Sequence, residues 1–381
     1  MAWDSRGWSL ISSHDRRPER QAALAALLEA EGLDALLVTS RPNIRYLTGF
    51  SGSAGVAVAT RGALLLVTDF RYDEQARQQS GAVARVEIEG VSVWDRLFKE
   101  LGGSTQAGRG GGALIGFEAH ALTVKEAERL SSPVASAWRW KPAGELVERL
   151  RVRKDPGEVA AIRAAGMLAA EALRETLTAV RPGQTELEVA GVLERALRRH
   201  GSEAHPFPTI VASGPRSALP HAHTSQRTVA AGEWLLLDFG AVVDGYCADV
   251  TRTVVVGARA DDAQRALYDL VQEAQQRARA GVRAGMSGRE ADALARDPIE
   301  ARGFGAAFGH STGHGVGLEV HEAPRLARTS ADPLPENAVV TIEPGVYVAG
   351  RGGVRIEDDV HLSADGPVLL TDGRTDLVEL V

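Results

Sequence analysis

Two periodicities alternate along the chain. Between residues 20 and 30 apolar side chains recur at helical spacing, and residues 35–39 form a short continuous apolar run, which predicts a helix followed by a buried strand. A glycine-rich turn is expected next. Residues 55–59 and 63–68 then flank Thr60-Arg61-Gly62, the pattern of a β-hairpin, and further strands are predicted at 83–88 and 114–117, alternating with helical stretches. Residues 20–143 therefore read as one α/β domain, preceded by a loosely held, flexible arm over residues 1–19.

The segment Trp138-Arg-Trp-Lys-Pro-Ala-Gly144 is the expected junction. Beyond it a long helix is announced by Asp155 as N-cap, Pro156 at the first helical position and Glu158 three residues after the cap. A chain of 381 residues exceeds the usual single-domain size, so a second domain is expected over residues 144–381. That half contains a weak repeat: Val180-Arg-Pro-Gly-Gln-Thr-Glu-Leu-Glu188 aligns with Val282-Arg-Ala-Gly-Met-Ser-Gly-Arg-Glu290, and Gly201 with Gly303 keeps the same offset of 102 residues. Each copy ends one helix at a glycine and starts another with a Thr/Ser-x-x-Glu capping box. Two symmetry-related halves would face each other across a central cleft.

The strands after each copy carry misplaced charge. Leu235-Leu-Leu-Asp238-Phe and Ala248-Asp249-Val-Thr-Arg252, separated by Gly240, Asp244 and Gly245, read as a hairpin with a carboxylate on each apolar arm. Thr341-Ile-Glu343-Pro-Gly and Arg355-Ile-Glu357-Asp-Asp repeat the anomaly in the second half. A carboxylate in an apolar strand costs several kcal/mol in desolvation unless a positive charge compensates it. Arg252 and Arg355 are too few for four such acids, whereas two divalent ions would balance them. His314 adds an imidazole, making an oxygen-rich donor set of Asp238, Asp249, His314, Glu343 and Glu357 that suits manganese, with cobalt or zinc able to enter by affinity.

The histidines follow a different logic from a helical zinc site. His310 and His314 have i, i+4 spacing, yet Gly309, Gly313, Gly315 and Gly317 argue against a helix. The run reads instead as a loop entering a strand. His314 and His321 are seven residues apart, so a bend must bring them to one side. His221 and His223 fall in a loop before the first acidic strand.

Composition narrows the partners. Fifty acidic against 43 basic residues give a net charge of −7, which leaves no electrostatic footprint for nucleic acid or an anionic membrane surface. The single cysteine, Cys247, excludes an intrachain disulfide and fits a reducing compartment. No apolar run has the length of a signal-peptide core or a membrane span, so a cytoplasmic location is expected.

From residue 144 onward the chain resembles the pita-bread metallopeptidases, the group that holds aminopeptidase P, prolidase and methionine aminopeptidase, with creatinase as a metal-free relative. The match is position by position: Asp238 and Asp249 eleven apart, His314 in Gly-His-Gly-Val-Gly-Leu, Glu343 in Ile-Glu-Pro-Gly, and Glu357 in Gly-Val-Arg-Ile-Glu-Asp. Pro42-Asn-Ile-Arg-Tyr-Leu-Thr-Gly-Phe-Ser-Gly52 resembles the opening of the creatinase-type N-terminal domain of aminopeptidase P and prolidase. The resemblance implies an α/β (α+β) architecture with a pseudo-twofold catalytic domain. Asp249 and Glu357 would bridge two metal ions, Asp238 would complete one, and His314 with Glu343 the other, with a hydroxide between the ions as nucleophile. Glu343 would also shuttle its proton. His221 and His321 would act on the substrate carbonyl, His310 would line the cleft, and Arg355 and Thr251 would orient the bridging carboxylates.

The implied reaction is hydrolysis of an Xaa-Pro bond by a homodimeric enzyme. The sequence reading favours an aminopeptidase acting on peptides with proline in second position, because no long insertion in the first domain is evident that could close the cleft. The alternative is a prolidase, restricted to the dipeptide and needing a group for the free proline carboxylate. A non-catalytic pita-bread binding module is the remaining alternative, and the complete ligand set speaks against it.

Overall fold

The computed structural model describes residues 15–103, 112–372 and 374–381. It divides into two compact units between Arg151 and Val152. The sequence expectation set the boundary eight residues earlier, ahead of the helix Leu146–Arg151. That helix goes with the first unit because its charges are spent there: Asn43 donates to Glu148, and Arg151 donates to Asn43 Oδ1 at 2.8 Å.

The first unit is a six-stranded mixed sheet. Its order across the sheet is Arg85–Glu89, Leu64–Asp69, Val56–Thr60, Ala35–Val38, Leu114–Glu118 and Arg139–Ala143. The expected hairpin is present, with Val56–Thr60 antiparallel to Leu64–Asp69 and Thr60 N–H donating to Ala63 O at 2.8 Å. Two local expectations meet a different structure where residues are described. Most of the expected arm lies outside the described residues, and its last part is already helical, since Arg17–Ala30 begins at Arg17 with Pro18 in its first turn. The stretch expected as a glycine-rich turn begins as the helix Arg41–Thr48, which buries Ile44, Tyr46 and Leu47. Gly49, at φ 81°, is its left-handed cap rather than the centre of a turn.

The second unit is built twice. Pro156–Ala179 and Glu186–His200 pack on one sheet, made of Ile210–Ser213, Glu233–Val243, Tyr246–Val256 and Val378–Leu380. Asp262–Gly281 and Gly288–Ala301 pack on the other, whose central strands are Val339–Ile342 and Asp358–Ser363. The repeat found in the sequence starts the second helix of each half: Thr185 with Glu188 and Ser287 with Glu290 form complete capping boxes. Each cap residue makes an isolated bridge to the segment that leads into its sheet, Thr185 to Thr228 and Ser287 to Pro333. The helix starting at Pro156 has the expected Asp155–Glu158 capping box. Among the described residues no helix is long and apolar enough to cross a membrane.

Candidate metal centre

The hairpin sets the first ligands. Glu233–Val243 and Tyr246–Val256 pair over their full length, with Asp238 opposite Thr251 and Gly240 opposite Asp249. Residues two apart on a strand share a face, so Asp238, Gly240, Asp249 and Thr251 lie together on one side. Asp244 and Gly245 turn the chain with φ of 49° and 73°, the geometry of a tight two-residue hairpin turn.

The second half supplies its donors from shorter, glycine-relieved strands. His314 sits in Gly313–Gly315, opposite Arg325, and the pairing shifts register immediately after it. This is the bend the spacing required, and it leaves the His314 and His321 rings 4.4 Å apart. Glycine is obligatory around it, since a Cβ at Gly313 would lie 1.9 Å from Thr341 O and one at Gly315 would lie 2.1 Å from Ala323 O. Glu343 follows the strand Val339–Ile342 and donates its N–H to Thr312 O at 2.8 Å. Glu357 precedes Asp358–Ser363, and its N–H reaches across to Thr251 O at 3.1 Å.

Asp249, His314 and Glu357 each offer a donor atom within 4.8 Å of the others. His314 Nε2 lies 3.3 Å from Glu343 Oε1 and 3.8 Å from Asp249 Oδ2. His314 Nδ1 is 3.1 Å from the Gly315 carbonyl, which can only accept, so Nδ1 carries the proton and the Nε2 lone pair faces the acids. Burial pushes this imidazole down to about 4, which keeps it neutral. Asp238 stands beside the trio, tied to Arg355 Nη2 at 2.5 Å.

The charge balance of the group fits a cation site. Burial, then the neighbouring carboxylates, raises Asp249 and Glu343 well above the usual carboxylate range, and Glu357 to about 8. Arg252, which the sequence offered as a counter-ion, is spent on Asp358 at 2.7 Å and on the Glu357 carbonyl. Asp249 Oδ1 is buried with no hydrogen-bond partner. An unpartnered buried carboxylate oxygen among three further acids and a deprotonated imidazole nitrogen is a donor set for a hard divalent ion.

A hydrogen-bonded chain leads away from Asp238. Arg355 donates to Asp238, to Thr251 Oγ1, to Pro220 O and to Tyr347 Oη, the last at 2.9 Å. His310 Nδ1 lies 2.8 Å from the Ser311 carbonyl and so bears the proton. Its Nε2 therefore accepts from the Tyr347 hydroxyl at 2.8 Å. The Thr251 hydroxyl donates to Glu357 Oε2 at 2.5 Å. His221 is exposed in the loop that follows Ile210–Ser213, close enough to His310 and His321 to oppose protonation of both.

The sequence reading missed Tyr347, Thr341 and the pair Asp292–Arg296. Thr341 Oγ1 accepts from His314 N and donates to Glu343 Oε1 at 3.3 Å. Arg296, bound to Asp292, donates to the carbonyls of Phe308 and His310. One signal for Tyr347 was available: Gly345, two residues before it, and Gly353, its strand partner, leave room where a Cβ would lie within 2.7 Å of the tyrosine ring or hydroxyl.

Residues 160–364 match the model of metallopeptidase family M24, more than half of the chain, and residues 20–153 match the creatinase/prolidase N-terminal domain. The chain belongs to metallopeptidase family M24. Among M24 relatives, a Bacillus subtilis peptidase of uncharacterised activity is 41% identical, over 92% of this chain and 96% of its own. The solved Xaa-Pro dipeptidase from Bacillus anthracis is 39% identical with a TM-score of 0.90, covering 96% of this chain and 100% of that one. The X-Pro aminopeptidase structure from Thermotoga maritima is 36% identical with a TM-score of 0.86, again over 96% and 100%. The creatinase-type first domain and the M24 second domain expected from the sequence are thus both present.

Proposed function

We propose that this M24 chain is a dinuclear-metal peptidase that cleaves the bond preceding proline, with the Xaa-Pro dipeptide as preferred substrate. The observation that carries the metal reading is the donor trio of buried Asp249 and Glu357 with half-buried His314, together with the orphaned Asp249 oxygen. Asp249 and Glu357 would hold both ions, Asp238 would complete one, and His314 with Glu343 the other. When bound, such a pair supplies an activated water and a Lewis acid for the scissile carbonyl. Manganese suits the four carboxylates best.

The protein groups then have separable tasks. Glu343 takes the proton of the attacking water and passes it to the proline nitrogen as the C–N bond breaks. His221 and His321 donate hydrogen bonds to the carbonyl oxygen as it gains charge. Arg355 and Thr251 fix the orientation of Asp238 and Glu357. His310, locked by Tyr347, lines the cleft.

The choice of dipeptide rests on Arg325. It lies opposite His314 in the strand ladder, is exposed, and its guanidinium has no hydrogen-bond or ion-pair partner among the described residues. Its charge adds to the burial that lowers His314 and His321. A free cation beside the two histidines is what a proline carboxylate requires, and it favours the dipeptidase over the aminopeptidase expected from the sequence. Steady-state hydrolysis of Xaa-Pro against Xaa-Pro-Yaa tests this. We expect a higher kcat/KM for the dipeptide, and Arg325→Ala to raise its KM about tenfold, the loss of one charge-assisted contact. Faster hydrolysis of the tripeptide would return the aminopeptidase to first place.

A further inference from the structure

Glu186 opens the helix Glu186–His200, a position where an acid ordinarily faces water, yet its side chain is 0% exposed. Its two oxygens are divided between two distant points of the chain. Oε1 accepts from Ser213 N at 2.8 Å and Ser213 Oγ at 2.9 Å. Oε2 accepts from Ser225 N at 3.1 Å and Ser225 Oγ at 2.6 Å. Arg216 Nε spans both oxygens, at 3.2 and 3.1 Å, and the same guanidinium donates to the His223 carbonyl. Ser213 Oγ also accepts from Arg227, which is itself bidentate on Glu233. One buried carboxylate thus closes the base of the loop between Ser213 and Ser225.

The far side of that loop bears on the metal centre. Ser217 Oγ accepts from Gly353 N at 2.9 Å, and Pro220 O accepts from Arg355 Nη1 at 3.1 Å. His221 is the next residue. It has no contact with Glu186, but the loop geometry between them is held at both ends by charge-assisted hydrogen bonds, which are shorter and about twice as strong as neutral ones.

We propose that Glu186 is a positioning residue for His221, acting by fixing both ends of the loop that presents it. The inference rests on the reading of His221 as a donor to the reacting carbonyl. A donor aimed at the transition state is sensitive to small displacements, with about 100-fold lost for a misplacement near 1 Å. The metal ligands come from other segments, and the loop reaches Asp238 through the Pro220 carbonyl on Arg355, so bound metal is measured alongside kcat.

The test is a double-mutant cycle on the metal-loaded enzyme with an Xaa-Pro dipeptide, using Glu186→Gln, His221→Ala and the pair. Glu188→Gln, which disturbs only the capping box of the same helix, is the control. We expect Glu186→Gln to lower kcat about 10- to 100-fold with KM changed less than about threefold, the bound-metal content to stay at wild-type level, and the loss to vanish in the His221→Ala background. Glu188→Gln should leave kcat unchanged. If Glu186→Gln fails to fold, Ser225→Ala replaces it, with a smaller kcat loss that must also vanish without His221. A loss that multiplies in full with that of His221→Ala, or a fall in bound metal, overturns the proposal. An unaltered kcat in His221→Ala alone would instead refute the role given to His221.

Discussion

Tyr347 illustrates how a site is set one hydroxyl at a time. Its oxygen accepts from Arg355 and donates to His310, so removing it strands a buried donor and a half-buried acceptor together. Tyr347→Phe is expected to cost about 1–3 kcal/mol of stability, the penalty of unsatisfied buried groups, and to lower kcat as Arg355 loses one of its anchors. Thermal denaturation and steady-state kinetics on the same sample check both. The acids carry a pH signature. An acid whose pKa is raised in the folded chain holds its proton more tightly folded than unfolded, so it contributes stability at low pH that is lost as pH climbs through the folded value. For Glu357 that window runs from the ordinary 4.5 to about 8, and Asp249 and Glu343 shift in the same direction. The rise in Tm on adding Mn2+ to chelator-treated protein should therefore grow between pH 5 and pH 8.5 in scanning fluorimetry, and a constant increment would contradict the charge balance. At this scale the sequence was informative wherever an acid interrupted an apolar run, as at Asp238 and Glu343. On Tyr347 it offered only the glycines at 345 and 353, because a tyrosine in a strand is ordinary and its partners, Arg355 eight residues on and His310 far before it, give it a role.

The elements explain why the ligands converge. The strand Gly313–Gly315 is bare of side chains on either side of His314, which lets the backbone pass within contact distance of Thr341 and Ala323. Gly313→Ala would force a Cβ into the Thr341 carbonyl. A loss of about 3 kcal/mol or more is expected, with weakened metal retention, measured by denaturant unfolding and metal content. A buried ion pair holds the next segment: Lys154, ahead of the long helix, reaches Glu322, the residue after His321, with side chains 1% and 7% exposed. Lys154→Met takes the ammonium away from that buried carboxylate, and about 3–5 kcal/mol of destabilisation is expected in the same unfolding experiment. Capping boxes at Asp155, Thr185 and Ser287 were legible because each needs only four residues in order. The helix Arg41–Thr48 was not. It is two turns long, it is punctuated by Pro42 and by glycines at 49 and 52, and its stability comes from burying Ile44, Tyr46 and Leu47 rather than from its own signals.

At the scale of the whole molecule, the M24 unit is two related halves, each giving part of one donor set. Asp238 and Asp249 come from the long hairpin of the first half; His314, Glu343 and Glu357 come from the second, at the ends of shorter strands. The offset of 102 residues between the copies carried this symmetry in the sequence, since the glycine, the cap residue and its glutamate recur at fixed places. What it could not carry was the pairing across the halves, such as Glu357 N–H on Thr251 O or Arg355 on Asp238, because those contacts are long-range and belong to no local pattern. The proposed function requires this donor set to hold two divalent ions for cleavage of an Xaa-Pro bond. The direct measurement is a titration of the chelator-treated chain with Mn2+, read by hydrolysis of an Xaa-Pro dipeptide and by the ions bound per chain. No hydrolysis is expected before metal is added and full activity as the second ion binds, whereas undiminished activity in chelator, or no binding at all, would contradict a dinuclear metal centre.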